Sequence, residues 1–297
     1  SELESDSYAN LIKELKTKSA FRLKNQIEDV LTDRDRVQVL LGAGETASSL
    51  GAELDQAYKV VEYQQIDGQE QTLELGYVKL REHDKESLFM QPIMAQRDFE
   101  LGDQLIEYPL MGTNFGLFVG TGSLGLEGDT EAQFSPQGGL RFEFSLAKAL
   151  NVSELYGLFS GGMGMPLSTN QSRARFSGTN PGSDVFALPV LLEVGLLKRW
   201  YVRQWILEAG VQGGGILGLL LNSDLDDRPT TISPGLTALI GTGWQVNPDF
   251  LIGLQGGWRF FLPLGWSSKG DAGDVDVAYP GISSNGPVLS LYGSWMF

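Results

Sequence analysis

The segment Leu140-Arg141-Phe142-Glu143-Phe144-Ser145-Leu146 contains the clearest alternation of apolar and polar residues in this chain. Large apolar residues occupy every second position, and the residues between them are charged or polar. This period of two predicts a β-strand with one apolar face and one polar face. A strand buried on both faces of a soluble sheet would not alternate in this way. We therefore interpret residues 132–146 as a strand whose two faces meet different environments.

Seven further segments of the second half of the chain alternate in the same manner. Within residues 250–264, Ile252 and Leu254 alternate with Gly253 and Gln255. A strand that crosses a bilayer needs about 9–11 residues, and each segment is long enough. The eight predicted strands cover residues 113–126, 132–146, 154–165, 184–197, 202–219, 231–246, 250–264 and 288–297.

The predicted connections alternate in length along the chain. Residues 147–153, 198–201 and 247–249 form short connections, and residues 168–183, 222–230 and 266–286 form long ones. Transmembrane barrels combine short periplasmic turns with long external loops. An even number of strands places both ends of the barrel on the short-turn side. The residues before the barrel are therefore expected in the periplasm.

The composition of the chain excludes some classes of protein. The 297 residues include 22 basic and 37 acidic residues, a net charge of -15, 38 glycines and no cysteine. Nucleic-acid binding is excluded because the chain lacks the excess of positive charge that phosphate contacts need. The sequence contains no apolar run of about 18 residues, so a membrane-spanning chain would have to use a closed barrel. A soluble β-sandwich or lipocalin-like barrel is the alternative.

The C-terminal residues carry a recognisable pattern. Ser290, Tyr292, Trp295 and Phe297 resemble the C-terminal signal that the barrel-assembly machinery of outer membranes reads. With the eight strands, residues 110–297 resemble the small outer-membrane β-barrels of the OmpA, OmpX and OmpW type. The resemblance implies an outer-membrane location and contact with outer-membrane lipids and lipopolysaccharide. It also implies the barrel-assembly machinery as a partner.

Two sets of barrel residues have predicted structural roles. Amphipathic rings favour the headgroup region of a bilayer, and the predicted aromatic girdle comprises Trp200, Tyr201, Trp205, Trp244, Trp258 and Trp266. The interior of an eight-stranded barrel is just wide enough for side chains to fill it. The residues predicted to form a network of ion pairs and hydrogen bonds there are Arg141, Glu143, Glu193, Glu208, Gln212, Gln255 and Arg259. A proton or ion path through the same residues is the alternative.

The first 109 residues predict a different unit. Residues 1–35 are interpreted as an amphipathic helix or helix pair, with apolar stripes at Tyr8, Leu11, Ile12 and Leu15 and at Leu23, Ile27, Val30 and Leu31. Residues 36–109 predict a small β domain with strands at 37–41, 57–63, 72–81, 87–95 and 104–108. The predicted fold is therefore mainly β, with a small α+β domain before the eight-stranded antiparallel transmembrane barrel.

The β domain carries a second resemblance. The run Gly76-Tyr77-Val78-Lys79-Leu80, then Ser87-Leu88-Phe89, and the turn Gly102-Asp103 before Gln104 resemble a small module of envelope proteins. That module follows LysM repeats and ends some flagellar-assembly proteins of the periplasm. A plugged barrel joined to a globular domain without visible chemistry leads us to expect a periplasmic protein partner, in a flagellar, pilus or secretion machine, or a ring of copies of this chain.

Catalytic chemistry is not indicated by the sequence. The single histidine, His83, lies in the polar run Arg81-Glu82-His83-Asp84-Lys85 and is interpreted as a solvated turn residue. We expect no catalytic residue, cofactor or metal ion. The acidic residues of the predicted external loops are interpreted as solvated charge, with calcium binding as the alternative: Glu127, Asp129, Glu131, Asp224, Asp226, Asp227, Asp271, Asp274 and Asp276.

Three functions remain open from the sequence. The first is a non-enzymatic outer-membrane anchor whose periplasmic domain docks onto an envelope assembly. The second is a narrow pore or a carrier of a small ligand or lipid. The third is a surface adhesin or receptor that acts through the external loops.

Overall fold

The computed structural model contains a closed β-barrel preceded by a smaller β-sheet domain. It describes residues 25–26, 29–31, 36–41, 46–47, 51–66, 69–84, 87–100, 103–126, 133–165, 186–221, 230–262, 264 and 282–297. None of the helices in this part of the chain is long and apolar enough to cross a membrane.

The barrel consists of eight strands, each paired antiparallel to its neighbours, in the closed order β10-β11-β12-β13-β14-β15-β8-β9. The predicted eight-stranded antiparallel barrel is thus confirmed. Its strands are β8 (Thr113–Leu126), β9 (Gln133–Ser145), β10 (Leu155–Gly164), β11 (Phe186–Val202), β12 (Trp205–Leu221), β13 (Thr230–Asn247), β14 (Phe250–Phe261) and β15 (Ile282–Met296). A short helix, α1 (Ala147–Leu150), lies between β9 and β10.

The largest differences from the predicted strand boundaries lie at the end of β11 and at the beginning of β15. The turn predicted at residues 198–201 is wrong, because β11 continues to Val202 and Val202 pairs directly with Trp205. Lys198 and Arg199 suggest a turn by their polarity, but Arg199 faces the barrel interior, where it is buried. The turn is formed by Arg203 and Gln204, and Arg203 adopts the left-handed conformation (φ 53°) that tight hairpins require. Strand β15 begins at residue 282 instead of 288, before an irregularity in its pairing with β8.

The two faces of the barrel wall have opposite character. The apolar residues of the alternating pattern point outward from the barrel. They are exposed, because in the described residues no other part of the chain packs against the outside of the barrel wall. Val119, for example, is 62% exposed and Ile240 is 70% exposed. Further members of this outer belt are Phe115, Leu117, Leu140, Phe142, Leu192, Val194, Leu207, Val211, Leu236, Ile252, Leu254, Leu289 and Leu291. A soluble monomer rarely exposes so large a continuous apolar surface, whereas a lipid-facing barrel wall requires it.

Polar and small residues point into the barrel. A Cβ atom on Gly253 would overlap the ring and hydroxyl of Tyr292. Glycine at position 253 therefore allows the Tyr292 ring to lie across the barrel interior.

The N-terminal domain is a seven-stranded sheet in the order β1-β7-β4-β5-β6-β3-β2. Its strands are β1 (Asn25–Gln26), β2 (Asp29–Leu31), β3 (Arg36–Leu40), β4 (Ala57–Ile66), β5 (Gln69–His83), β6 (Ser87–Ala95) and β7 (Gln104–Tyr108). The two edge strands, β1 and β2, follow each other almost directly in the sequence. β1 ends at Gln26 and β2 begins at Asp29, and consecutive Cα atoms are only about 3.80 Å apart. The two edges of the sheet therefore lie close together, and the sheet is curled.

The curled sheet encloses an apolar core of its own. Strands β3 to β7 supply the buried residues Val37, Val39, Tyr58, Val60, Val78, Leu80, Leu88, Met90 and Leu105, and Phe99 packs with them. The sheet extends beyond residues 36–109, over which a small β domain is predicted, because β1 and β2 form its two edges.

The helical prediction for the second apolar stripe is wrong where the structure describes it. Asn25 and Gln26 pair with Leu105 and Gln104, and Asp29 to Leu31 pair with β3. Pairing with β7 and β3 overrides the helical spacing of this stripe at the described residues, since propensity is only a weak local preference. The first stripe, from Tyr8 to Leu15, lies outside the described residues.

Candidate functional site

Strand β5 lies across the mouth of the barrel that faces the N-terminal domain. Its side chains alternate between two sides, as in any strand. Val78 and Leu80 pack into the core of the N-terminal domain. Tyr77 packs against barrel residues, and Lys79 and Arg81 form ion pairs with Glu154, which immediately precedes β10. The domain therefore covers the barrel mouth with one face of its sheet.

An apolar cluster joins the two units near the centre of the mouth. Tyr77, Ala57 and Ile93 of the domain pack with Tyr201, Ile206, Leu251, Tyr292 and Met296 of the barrel. Ile206 and Leu251 are completely buried, although they lie at the ends of strands β12 and β14. An interface with an apolar core of this kind resembles the interior of a domain more than a transient contact.

Beside the apolar cluster lies a buried group of charges, which we call the junction cluster: Asp55, Lys79, Arg81 and Glu154. Glu154 Oε1 accepts hydrogen bonds from Lys79 Nζ at 2.9 Å and from Arg81 Nη1 at 2.6 Å. Asp55 accepts hydrogen bonds from Arg81, from the hydroxyl of Ser153 and from the backbone N–H of Glu154. The two carboxylates balance the two cations, so the charges are buried in pairs, as burial requires.

Protonation of the junction cluster is set by its environment. Burial raises the pKa of the Asp55 carboxyl, and the negative charge of Glu154 raises it further, while Arg81 and Lys79 offset only part of this. Burial also acts to raise the pKa of Glu154, but the attraction of Lys79 and Arg81 outweighs it. The pKa of Glu154 is therefore held well below its usual range.

The backbone is strained where the two carboxylates meet. Asp55 has a φ of 66° and Glu154 a φ of 51°, both in the left-handed region. Such conformations cost about 1–3 kcal/mol each for residues other than glycine and persist where the surroundings enforce them. Here the hydrogen bond from the Glu154 N–H to Asp55 ties the two strained residues together.

A second polar contact joins the units on the opposite side of the mouth. The Tyr108 hydroxyl of β7 donates a hydrogen bond to Asp249 in the turn between β13 and β14. Burial and this hydrogen bond raise the pKa of Tyr108 to about 12. In the barrel order, four strands separate the Asp249 turn from the Glu154 turn on either side. The domain is therefore attached at two opposite points of the rim.

Further inside the barrel, five side chains form a closed ring of hydrogen bonds and ion pairs, which we call the lumen ring. Arg199 donates to Glu208 at 2.7 Å and to Glu143 at 2.8 Å. Arg141 donates to Glu143 and to Gln255, and Gln255 donates back to Glu208 at 2.8 Å. The rings of Tyr156 and Tyr292 stack on Arg199 and Arg141 with separations of 4.8 Å and 4.2 Å. The ring crosses the interior from β9 to β11, β12 and β14.

A second polar layer lies beyond the lumen ring. Arg259 donates to Gln137 at 2.6 Å and contacts Glu193 at 3.4 Å, and Gln212 donates to Ser160 at 2.9 Å. Between the two layers remains a cavity of about 40 Å³. That volume is enough for a few water molecules and too small for a larger solute.

All seven residues of the predicted interior network lie buried inside the barrel. The prediction omits Arg199, which is completely buried and links Glu143 to Glu208. The alternation could have identified Arg199, because positions 193, 195, 197, 199 and 201 share one face of β11. The connection predicted at residues 198–201 removes Arg199 and Tyr201 from the strand.

The same error affects the predicted girdle. Tyr201 is not part of it, since the side chain is only 6% exposed and packs beneath the N-terminal domain. Trp200 and Trp258 do face outward, and Trp205 stacks edge-on against Trp244 with ring centres 4.9 Å apart. Trp266 lies outside the described residues.

The residues of the predicted assembly signal divide between the two faces of β15. Trp295 is exposed and packs beside Phe250 with ring centres 5.0 Å apart. Tyr292 is buried and faces the interior, as does Ser290, which lines the cavity between the polar layers. Phe297 is 51% exposed at the rim.

The remaining candidates carry no visible chemistry. His83 ends β5, is exposed and pairs through its backbone with Leu88. The acidic loop residues lie outside the described residues. Among the residues that the structure does describe, no group of three or more His, Asp or Glu side chains could hold a metal ion.

Comparison with known proteins gives fold-level similarity only. No family model matches the chain, and no curated protein matches it. Neisserial surface protein A has 9% identity and a TM-score of 0.43, over 64% of this chain and 100% of that one. The Ail protein of Yersinia pestis has 8% identity and a TM-score of 0.36, over 62% and 96%. A major outer membrane protein of Thermus thermophilus has 15% identity and a TM-score of 0.36, over 62% and 99%.

Proposed function

We propose that this chain is a non-enzymatic outer-membrane protein that holds its N-terminal β-domain in one fixed orientation at the periplasmic surface. In that orientation the domain binds a component of an envelope assembly or another copy of the chain. The observation that carries the proposal is the junction, where a buried charge cluster, an apolar core and a contact on the opposite rim join domain and barrel.

The contacts at the junction support a domain that is fixed relative to the barrel, in preference to one that is flexibly linked to it. Domains joined by small polar contacts move relative to one another. Here the contact includes a buried apolar cluster, and separating the units would expose side chains such as Tyr77 and Tyr201 to water. A fixed domain presents its remaining surface in a constant direction, which a multi-protein assembly requires.

The alternative of a narrow pore is not favoured by the geometry of the barrel interior. The lumen ring crosses the interior, the cavity next to it measures about 40 Å³, and β5 covers the mouth. The purified full-length protein is expected to give no single-channel conductance in planar bilayers. The adhesin alternative depends on external loops that lie outside the described residues.

Site-specific photocrosslinking in cells tests the proposal. A photoreactive residue at Gln71 or His83, which are exposed towards the two ends of β5, is expected to crosslink to a periplasmic component or a second copy. The same probe at outward-facing Leu236 serves as the lipid-side control. Absence of protein crosslinks from several exposed positions of the domain would refute the assembly role.

A further inference from the structure

A cavity of about 590 Å³ opens between the N-terminal domain and the rim of the barrel. Glu53 and Glu107 of the domain border it on one side. Met111 of the connecting segment, Lys148 of α1 and Phe297 border it on the other. Small-molecule and cofactor sites commonly measure about 300–1,000 Å³, so the cavity has the size of a binding site.

The cavity opens at the height where a bilayer would end. Phe297 exchanges backbone hydrogen bonds with Thr113, two residues beyond the exposed Trp295. Apolar side chains continue past Trp295 on this side of the rim: Met111 is 79% exposed, Leu150 55% and Val152 41%. Exposed apolar residues at this level fit the upper part of the lipid chains and the glycerol region.

The cavity is bordered by one exposed cation, Lys148, and by the carboxylates of Glu53 and Glu107, so it can bind both the negative and the positive group of a zwitterion. Lys148 Nζ forms an ion pair with Glu53, and the two side chains are 74% and 47% exposed. Such an exposed pair is weak, so its members can exchange partners at little cost. Glu107 accepts a hydrogen bond from Gln56 at 2.7 Å and retains further acceptor capacity.

From this juxtaposition we propose that the cavity binds the headgroup of one phospholipid of the periplasmic leaflet that carries a phosphate and a primary ammonium. The phosphate contacts Lys148, the ammonium contacts Glu53 and Glu107, and the glycerol and first chain carbons lie along Met111 and Phe297. The inference rests on the membrane location proposed above and adds to it a specific lipid site beside the junction.

Charge and hydrogen bonding set the expected selectivity. The cavity is lined by the acidic residues Glu53, Asp55 and Glu107 and the basic residues Lys79 and Lys148, so it favours a headgroup that ends in a cation. A primary ammonium has three N–H donors, whereas a choline group has none. An anionic glycerol headgroup would place no positive charge near the carboxylates.

Native mass spectrometry of the delipidated full-length protein with added lipids tests the proposal. Phosphatidylethanolamine is expected to bind about tenfold more tightly than phosphatidylcholine or phosphatidylglycerol, since charge-assisted hydrogen bonds contribute at that scale. The double variant Glu53→Gln, Lys148→Gln should remove this preference. The matched control Arg36→Gln, Glu82→Gln removes an exposed ion pair of the same domain away from the cavity and should keep it.

Soluble phosphoethanolamine, added as a competitor, distinguishes the headgroup alone from the whole lipid, and the whole lipid should bind more tightly. Equal retention of all three lipids, or an unchanged preference in the Glu53→Gln, Lys148→Gln variant, would overturn the proposal. A barrel that is folded in bilayers but shows no preference would refute the lipid site alone. A chain that needs no lipid or detergent would refute the membrane location.

Discussion

Arg81 of the N-terminal domain donates a hydrogen bond of 2.6 Å to Glu154 of the barrel, 73 residues further along the chain. Both side chains are buried, Arg81 at 9% and Glu154 at 3% exposure. Because Lys79 shares the same carboxylate, Glu154 is the residue on which the attachment of the two units depends most.

Replacing Glu154 with glutamine should therefore open the junction. The change leaves Lys79 and Arg81 with one carboxylate between them, and breaking a buried ion pair from one side costs about 3–5 kcal/mol. Hydrogen exchange should become faster at the amides of β4, β5 and β6, and limited proteolysis should release the domain from the barrel. Glu74→Gln, which breaks an exposed pair with Lys59, is the control and should change neither measurement. Equal protection in the two variants would contradict a junction held by Glu154.

The stability of the junction should pass through a maximum at mildly acidic pH. Asp55, whose pKa is raised from 3.8, contributes stability that is present at low pH and is lost as the pH rises through its elevated value. Glu154, whose pKa is lowered from 4.5, contributes stability that is present above that value and is lost as the pH falls through its depressed pKa. Domain release, measured by proteolysis from about pH 3 to about pH 8, should be slowest between these two transitions.

Asp55→Asn provides the test of that assignment. The variant carries no titratable group at position 55, so the loss of stability on the high-pH side of the maximum should disappear while the loss at low pH remains. A profile that keeps both losses in Asp55→Asn would show that another group causes the loss on the high-pH side.

Arg199 should be the most sensitive residue of the barrel interior. Arg199→Met leaves Glu143 and Glu208 facing each other with Arg141 as the remaining cation of the lumen ring, so the free energy of unfolding should fall by about 3–5 kcal/mol. Urea unfolding in lipid bilayers, followed by the mobility difference between folded and boiled protein on gels, measures this change. Arg36→Met, at a partly exposed arginine of the domain, should leave the barrel transition in place. Similar transitions for both variants would remove the lumen ring as a source of stability.

The outer belt should tolerate no charge if it contacts lipid. Val211 is 50% exposed near the middle of β12, and an arginine at the midplane of a bilayer costs about 2–4 kcal/mol. Val211→Arg should therefore lower the free energy of unfolding in bilayers by that amount. Leu73→Arg, at a residue that is 44% exposed on the N-terminal domain, should change it by less than about 0.5 kcal/mol. If both variants unfold alike, the belt faces water.

The barrel could be predicted from the sequence because the alternation that defines each strand lies within a short segment of the chain. A period of two residues assigns each side chain to one face of the wall, and eight such segments within residues 110–297 leave a closed barrel as the arrangement without free edges. The same rule places Glu143, Glu208 and Gln255 inside the barrel. Applied through residues 198–201, where a connection is predicted, the rule places Arg199 and Tyr201 there too.

Which of these residues are in contact depends on how the chain folds in three dimensions. Glu154 meets Asp55 across 99 residues, and Arg141 meets Gln255 across 114, contacts that depend on barrel closure and on the docking of the domain. The sequence around one partner does not indicate which residue it contacts. These contacts form between side chains that strands far apart in the sequence bring to the same level of the barrel. The attachment of the domain through β5 also depends on tertiary structure. The alternation of Tyr77, Lys79 and Arg81 predicts a strand with two different faces, but only the folded barrel shows that one of these faces contacts the barrel mouth.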